Sequence, residues 1–349
     1  MKSNYRYIVK AFMAMAVIAG TTSCDDFLDR EPMSSISPET YYSTAAELEA
    51  NLNDEYPNVL PSFGQWTYGI FGEDKGTDNQ IEVNANDRYT QDRWKVPHSE
   101  SDNWKFERIY RINFFLSEAL PKFGEDMSGS QNTISGSVAT IKHYIGEMYF
   151  LRAYEYFKKL QLFGDFPIIN QPLADEMEAL REASKRFPRN EVARFIISDL
   201  DKAYAYMSDV DMATTRINKD VAMLVKSRVA LFEATWLQNF KGTAFVPGGE
   251  GWPGASLHNN YQYPSGNIDN EVKYFLEQAV EASKLVADKY KGNLTENTGV
   301  LQQSADDPSN PYFDMFAQED LSDVKEVLLW RQYARGLSTH NINAAAGRG

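Results

Sequence analysis

The chain of 349 residues is acidic, with 49 Asp and Glu against 35 Lys and Arg and a formal net charge of −14. No Lys- or Arg-rich run offsets this charge locally, so nucleic-acid binding and attraction to anionic lipid headgroups are excluded as main functions. Because 43% of the residues are hydrophobic and 13% are aromatic, the chain is predicted to form a globular body rather than a disordered one.

The N-terminus has the order of a secretory signal peptide. Lys2, Arg6 and Lys10 precede the apolar run AFMAMAVIAG, which is followed by the small residues TTS. This run is far shorter than the roughly 20 residues that a membrane-spanning helix needs. Residues 1–23 are therefore predicted to be a cleaved leader, with the cut immediately before Cys24.

Cys24 is the one cysteine of the sequence, so it cannot form an intramolecular disulfide. Its place directly after the leader predicts the acylated cysteine of a bacterial lipoprotein. A plain signal peptide with an unmodified cysteine is the alternative, since Thr21 stands where the usual lipoprotein motif has Leu. Residues 24–40 mix acids, Ser and Pro without a lasting hydrophobic period and are predicted to be a tether.

From residue 41 onward, apolar residues recur every three or four positions, which is the period of an amphipathic α-helix. Asn190 and Asn218 stand where an N-cap is expected, and Gly164 stands where a helix should stop. Helices are therefore predicted over residues 44–56, from Ser101 or Asp102 through Leu116, and over residues 141–163, 190–207, 218–238 and 270–290.

The three long central helices are predicted to pack into one scaffold. Their inward stripe is expected to include Tyr149, Ile196, Leu200 and Phe232. The last helix is expected to place on one side Val272, Phe275, Leu276, Ala279, Val280 and Val286. Two short strands are predicted, at residues 168–170 and 326–330, so the fold class is mainly α. Small residues among the aromatic ones indicate tetratricopeptide-like helix pairs, with ordinary helix packing as the alternative.

Two irregular stretches interrupt the helices, at residues 61–100 and 239–267. Both are rich in Trp, Tyr and polar residues, and the Gly and Pro residues of the second exclude a long helix there. Exposed irregular segments often carry binding groups. Their rings either fold back on the protein's own surface or are available to a ligand or partner.

Motifs for catalysis are missing from the sequence. The four histidines are far apart, with neither an H-E-x-x-H motif nor a cysteine partner that would support a zinc site. No G-x-S-x-G nucleophile motif occurs. The GEGWPG stretch at residues 249–254 has dinucleotide-turn spacing, but a predicted helix precedes it and a proline lies inside it. No catalytic residue, metal or cofactor is predicted.

Several segments resemble the SusD-like (RagB/SusD) family of outer-membrane lipoproteins of the Bacteroidetes. The most specific is GEMYFLRAYEYFKKLQLFGDFPII at residues 146–169, and CDDFLD at residues 24–29 is similar to the family's mature N-terminus. The match continues in the expected order with RIYRINFFLSEAL at residues 108–120, PRNEVARFIISDLDKA at residues 188–203 and RINKDVAMLVKSRVALFEA at residues 216–234. The resemblance extends from Cys24 to about residue 335.

The resemblance implies a helical scaffold with long irregular loops, anchored by lipid at the outer membrane and exposed at the cell surface. Family members capture oligosaccharides, or in some cases peptides, as lids on a SusC-like TonB-dependent transporter, and the same partner is expected here without enzymatic activity. Members usually continue further, so residues 41–349 are expected to be a SusD-like domain that is incomplete at its C-terminus. A surface glycoside hydrolase and a non-catalytic scaffold lipoprotein are the alternatives.

If the ligand is a glycan, the two irregular stretches are the expected binding region. A flat ring can cover the apolar C–H face of a sugar, while Asp or Asn oxygens accept hydrogen bonds from its hydroxyl groups. The predicted ligand-binding residues are Trp66, Asp74, Asp78, Trp94, Trp252 and Tyr261.

Overall fold

The computed structural model describes residues 41–61, 103–208, 212–301, 304, 306–316 and 318–332. Within these ranges the secondary structure consists of α-helices and a 3₁₀ turn at Pro253–Ser256, and no strand is present. The helices all belong to the compact unit Ser43–Gly349, which is distinguished from a second unit, Met1–Tyr42. They are α1 (Ala45–Val59), α2 (Glu107–Phe123), α3 (Val138–Phe163), α4 (Met177–Ala183), α5 (Arg189–Tyr206), α6 (Lys219–Asn239), α7 (Ile268–Tyr290) and α8 (Pro311–Phe316).

Local signals set several helix ends. Thr44 and Glu47 form a capping box at α1, in which each side chain accepts a hydrogen bond from the other residue's backbone N–H. The side chain of Asn218 accepts from the backbone N–H of Val221 at 3.1 Å and caps α6, as predicted. Gly164 ends α3 with a φ of 68°, a left-handed value that glycine adopts at little cost, so the predicted stop is also confirmed.

The long helix α3 lies at the centre of the core, and α1, α2 and α5 pack against it. Beyond α5 the packing continues in order, with α6 on α5 and α7 on α6. Ile196, Leu200 and Tyr149 are buried as predicted, while Phe232 is half-buried. The predicted mainly α fold is confirmed. None of the described helices combines the length and the apolarity that a membrane crossing requires.

The two predicted strands are wrong. At residues 168–170, the backbone N–H of Ile169 donates to the hydroxyl of Tyr156 at 2.8 Å, and its carbonyl accepts from the side chain of Asn113 at 2.8 Å. At residues 326–330, the Leu328 carbonyl accepts from the side-chain amide of Asn218 at 2.9 Å. Side chains of distant helices thus satisfy backbone groups that a sheet would otherwise pair.

The predicted start of the second helix is also wrong. Residues 101–102 lie outside the described residues, and α2 begins at Glu107, after Trp104. The Trp104 ring instead packs edge-on against Phe163 and Phe166, each with a centroid distance of 4.9 Å. Tertiary packing of the indole ring therefore takes precedence over the local helical period.

Asn190 is not an N-cap. It lies inside α5 and is buried, and the N-cap position falls on Pro188. Its amide nitrogen instead donates to the carboxylate of Glu271 at 3.1 Å. A buried carboxylate needs donors, and Asn190 supplies one across the helix interface.

The predicted apolar side of the last helix is only partly buried. Phe275, Ala279 and Val286 are buried, whereas Leu276 and Val280 are 37% and 62% exposed. Among the described helices, α7 packs mainly on α6, so a single narrow face is covered. The short helix α4, which the periodicity did not predict, contains no buried residue.

Candidate functional site

A cavity of about 480 Å³ opens where α3 ends and α5 begins. The end of α6 and the irregular segment that follows it complete the walls. Apolar and aromatic side chains alternate there with a few charged ones, a composition that is common in small-molecule sites. The lining residues are Gln161, Leu162, Phe163, Gly164, Asp165, Arg186, Arg189, Trp236, Ala244, Phe245, Trp252, Pro253, Gly254 and Leu257.

Asp165 joins the two sides of this cavity. One carboxylate oxygen accepts from the backbone N–H of Arg189 at 2.9 Å, and the other accepts from the indole Nε1–H of Trp252 at 2.7 Å. Burial raises the pKa of the Asp165 carboxyl, although both hydrogen bonds oppose the shift. Because both oxygens are engaged, the carboxylate holds the segment around Trp252 against the start of α5.

Arg189 is the buried cation of the cavity. Its guanidinium forms a bidentate pair with Glu233 of α6, through Nε at 3.0 Å and Nη2 at 2.9 Å. The same guanidinium lies 4.1 Å from the ring centroid of Trp236. Burial raises the pKa of the Glu233 carboxyl, and the charge of Arg189 opposes this shift. The charge of Arg189 is therefore already compensated within the protein.

Arg186 differs from Arg189 because its side chain is exposed. Its guanidinium lies over the ring of Trp104, 4.6 Å from the centroid. Its backbone carbonyl accepts from Nε2 of His258 at 2.7 Å. The backbone of the next residue, Phe187, pairs with that of Phe166. The backbone at Arg186 is thus held by His258 and by the pairing of Phe187 with Phe166.

A row of rings leads out of the cavity. The Trp236 and Phe240 centroids are 4.6 Å apart, and those of Phe240 and Phe245 are 5.4 Å apart. Nε1 of Trp236 donates to the carbonyl of Phe245 at 3.0 Å, which holds the row together. Phe245 is 61% exposed, and the rim residues Leu162 and Leu257 are 58% and 53% exposed. The mouth of the cavity therefore presents apolar surface to solvent.

Two of the predicted ligand-binding residues lie at or next to this cavity. Trp252 is in its wall, with 5% of its surface exposed, and its ring stacks on His258 at 5.9 Å. Tyr261 lies behind Trp252 at 5.6 Å, and its hydroxyl is 2.9 Å from the amide nitrogen of Asn190. Their role in binding stays a prediction. The other predicted residues, Cys24, Trp66, Asp74, Asp78 and Trp94, lie outside the described residues.

Sequence reasoning did not nominate Asp165, Arg186 or Arg189. The signal that could have found Asp165 is its position between Gly164 and Pro167, where a charged residue follows a helix stop among aromatic neighbours. Arg189 directly follows a proline at the start of a helix, close to the basic residue Arg186. Neither pattern indicates which carboxylate or ring each side chain contacts.

A second cavity, of about 520 Å³, lies against α1, α3 and α6. Its lining includes Tyr56, Phe150, Val221 and Trp330, and Arg331 is the one charged residue among its described lining residues. It offers an apolar surface rather than converging polar groups. No group of three or more His, Cys, Asp or Glu side chains suited to a metal ion occurs in the part of the chain that the structure describes.

Comparisons with known proteins agree on one family. The family model SusD-like_3, described as "Starch-binding associating with outer membrane", matches residues 26–231, which is more than half of the chain. SusD-like protein P2 of Formosa agariphila is 25% identical over 253 residues, which cover 69% of this chain and 46% of that protein. SusD-like protein P25 of the same organism is 25% identical over 233 residues, which cover 61% of this chain and 41% of that protein.

Among solved structures, a SusD-like carbohydrate binding protein from Bacteroides fragilis is 15% identical, with a TM-score of 0.43, over 74% of this chain and 43% of that one. The chain spans less than half the length of each of these three relatives. The residues that match the family model contain α1, α2, α3, α5 and much of α6. The chain belongs to the SusD-like family.

Proposed function

We propose that this protein is a non-catalytic, glycan-binding lipoprotein of the outer membrane. It captures an oligosaccharide at the cell surface and passes it to a SusC-like TonB-dependent transporter. The observation that carries the proposal is the match to a family described as starch-binding and associated with the outer membrane. A peptide is the second choice of ligand.

The cavity at the start of α5 supports a glycan as the ligand. Its mouth offers the exposed ring of Phe245 beside the half-buried ring of Trp236, and Arg186 provides hydrogen-bond donors at the wall. A sugar has apolar C–H faces and a rim of hydroxyl groups, so rings and polar groups that lie side by side suit it. Binding is expected to be weak for a short oligosaccharide, because each hydroxyl exchanges water for protein at a small net gain.

The charges of the cavity favour binding over hydrolysis. Glycoside hydrolases generally use a pair of carboxyl groups on either side of the bond that they cleave. Asp165 is the one carboxylate that lines this cavity in the part of the chain that the structure describes, and both of its oxygens accept hydrogen bonds from within the protein. The described lining residues therefore provide neither an acid and base pair nor a free carboxylate nucleophile.

The N-terminal arrangement is part of the proposal. Residues 1–23 are the signal peptide, residues 24–40 are the tether and residues 41–349 are the SusD-like domain, with a lipid attached at Cys24. Changing Cys24 to Ser is expected to release the protein from washed outer membranes of cells that lack the partner transporter. Retention of the Ser variant in those membranes would contradict the lipid anchor.

The ligand test uses the exposed ring of Phe245. A panel of soluble polysaccharides that includes starch is screened by affinity electrophoresis, and fragments of the tightest binder are titrated by calorimetry. Phe245→Ala is expected to weaken binding by about 0.5 to 1.5 kcal/mol, the usual gain from one ring contact. Phe316→Ala is the matched control, because Phe316 is 71% exposed in α8 and lies outside the cavity. Equal affinities of the two variants would place the ligand elsewhere.

A further inference from the structure

We propose that this cavity selects a negatively charged sugar and that Arg186 pairs with its anionic group, a uronate carboxylate or a sulfate ester. The inference rests on the proposed glycan-binding function and specifies its ligand class. It arises from the contrast between the two arginines in the cavity wall.

The two arginines differ in how their charges are compensated. The Arg189 guanidinium is bound on two nitrogens by the buried carboxylate of Glu233. Arg186 forms no salt bridge among the described residues, and its guanidinium lies on the face of Trp104. Its charge acts on the Asp165 carboxyl without a direct contact and opposes the rise in the pKa of that group. A guanidinium stacked on a ring keeps its in-plane N–H donors directed outward, where they match the two oxygens of a carboxylate or sulfate.

The aromatic platform under Arg186 is closely packed. The Trp104 ring is packed against Phe106, Phe163 and Phe166, with centroid distances between 4.9 and 5.6 Å. The backbone of Arg186 is held by the hydrogen bond from His258. A cation that is already positioned loses less freedom when it binds, so more of the pairing energy appears as affinity.

The remaining charged groups of the cavity do not compete for this role. Asp165 is the one carboxylate among the described residues of the wall, and its oxygens accept hydrogen bonds from the Arg189 backbone and the Trp252 indole. Glu233 is bound to Arg189. Among the described lining residues, Arg186 is therefore the cation without a salt bridge, and it stands on a protein whose net charge of −14 would otherwise repel an acidic glycan.

The test compares acidic polysaccharides with their own neutral forms. The full chain is run on native gels that contain pectate, alginate or a sulfated galactan, each paired with its carboxyl-reduced or desulfated product. Starch, laminarin and xylan represent neutral glycans. At least one acidic polymer is expected to retard the protein, its neutral product is expected to retard it much less, and added salt should weaken the effect. Carboxyl reduction and desulfation separate the two possible anions.

Arg186→Gln is expected to weaken binding of the acidic polymer by about tenfold or more, as the loss of a charged hydrogen-bond pair should. Arg181→Gln is the matched control, since it removes the same charge from an exposed position in α4, outside the cavity. An unchanged melting temperature shows that Arg186→Gln is folded. Retardation by neutral polymers alone, or equal binding by Arg186→Gln and Arg181→Gln, overturns this inference and leaves glycan binding standing. Retardation by no polymer overturns both.

Discussion

The helical scaffold and the irregular segment 240–267 hold their buried polar groups in different ways. In the scaffold, arginines form bidentate pairs with carboxylates on other helices. Arg152 of α3 binds Asp199 of α5 at 2.7 and 2.9 Å. Further along, Arg189 of α5 binds Glu233 of α6, and Arg194 of α5 binds Glu271 of α7. Each pair links two helices through two charged hydrogen bonds of defined geometry.

Segment 240–267 is held in part by single hydrogen bonds from aromatic side chains. Trp252 donates to Asp165, and Tyr263 donates to the carbonyl of Pro247 at 2.6 Å. Gly254 allows the Trp252 ring to turn inward, because a Cβ atom there would lie 2.2 Å from the ring. The segment also contacts one of the helix pairs, because Ser265 accepts from Arg194 at 2.7 Å and donates its backbone N–H to Glu271 at 3.1 Å.

The largest effect is expected from breaking a scaffold pair. Arg152→Met leaves the buried Asp199 carboxylate with Lys202, at 3.8 Å, as its remaining charged partner. The free energy of unfolding is expected to fall by about 3 to 5 kcal/mol in urea titrations. The control Arg181→Met, which removes a surface pair with Glu178, should cost less than about 1 kcal/mol. Similar losses for both variants would contradict the difference between the regions.

A purely apolar change tests the same scaffold. Leu200 is fully buried in α5, so Leu200→Ala is expected to lower the free energy of unfolding by about 2 to 5 kcal/mol through lost contacts and a cavity. Leu231→Ala removes the same atoms from a side chain that is 51% exposed and should cost much less. Chemical denaturation of both variants measures the difference, and equal costs would show that α5 is not the packed helix described above.

In segment 240–267, Trp252→Phe removes the donor to Asp165 but retains a ring. The loss is expected to be about 1 to 3 kcal/mol, because one oxygen of a partly buried carboxylate is left without a partner. Trp236→Phe is the control, since its indole donates to an exposed backbone carbonyl and should cost less. If Trp252→Phe proved neutral, Asp165 would not hold the segment in place.

The smallest effect is expected for the Arg194–Glu271 pair of the scaffold, whose contribution to stability should depend on pH. Burial alone would raise the pKa of Glu271, but hydrogen bonds from Arg194, Asn190 and Ser265 outweigh it and hold the pKa below the usual 4.5. Its ionised form therefore stabilises the fold above pH 4.5, and this contribution is lost as the pH falls through the lowered value. Glu271→Gln is expected to cost about 1 kcal/mol at neutral pH, because Arg194 is partly exposed.

The measurement for Glu271→Gln is the difference in melting temperature from the unchanged protein between pH 7 and pH 3. The difference should shrink in acid, where the native carboxylate also becomes protonated. A difference in melting temperature that stays constant across this range would mean that Glu271 stabilises the fold by packing and neutral hydrogen bonds rather than by its charge.

The sequence by itself determined the helices and several of their ends. Three- and four-residue periods placed α3, α5, α6 and α7 close to their observed bounds, because a helical period depends on near neighbours. The capping role of Asn218 and the stop at Gly164 are equally local, since each involves atoms within one turn. The resemblance of ordered segments likewise led to the SusD-like family, which the family model confirms.

Only the tertiary structure decided which polar groups meet. Asn190 looks like a cap in sequence, but it pairs with Glu271, which lies 81 residues further along the chain. Ile169 looks like part of a strand, but its backbone is satisfied by Tyr156 and Asn113. The cavity depends on Asp165 meeting Trp252, 87 residues away. A buried donor takes whichever acceptor the packing of distant helices brings within about 3 Å, and no local pattern encodes that choice.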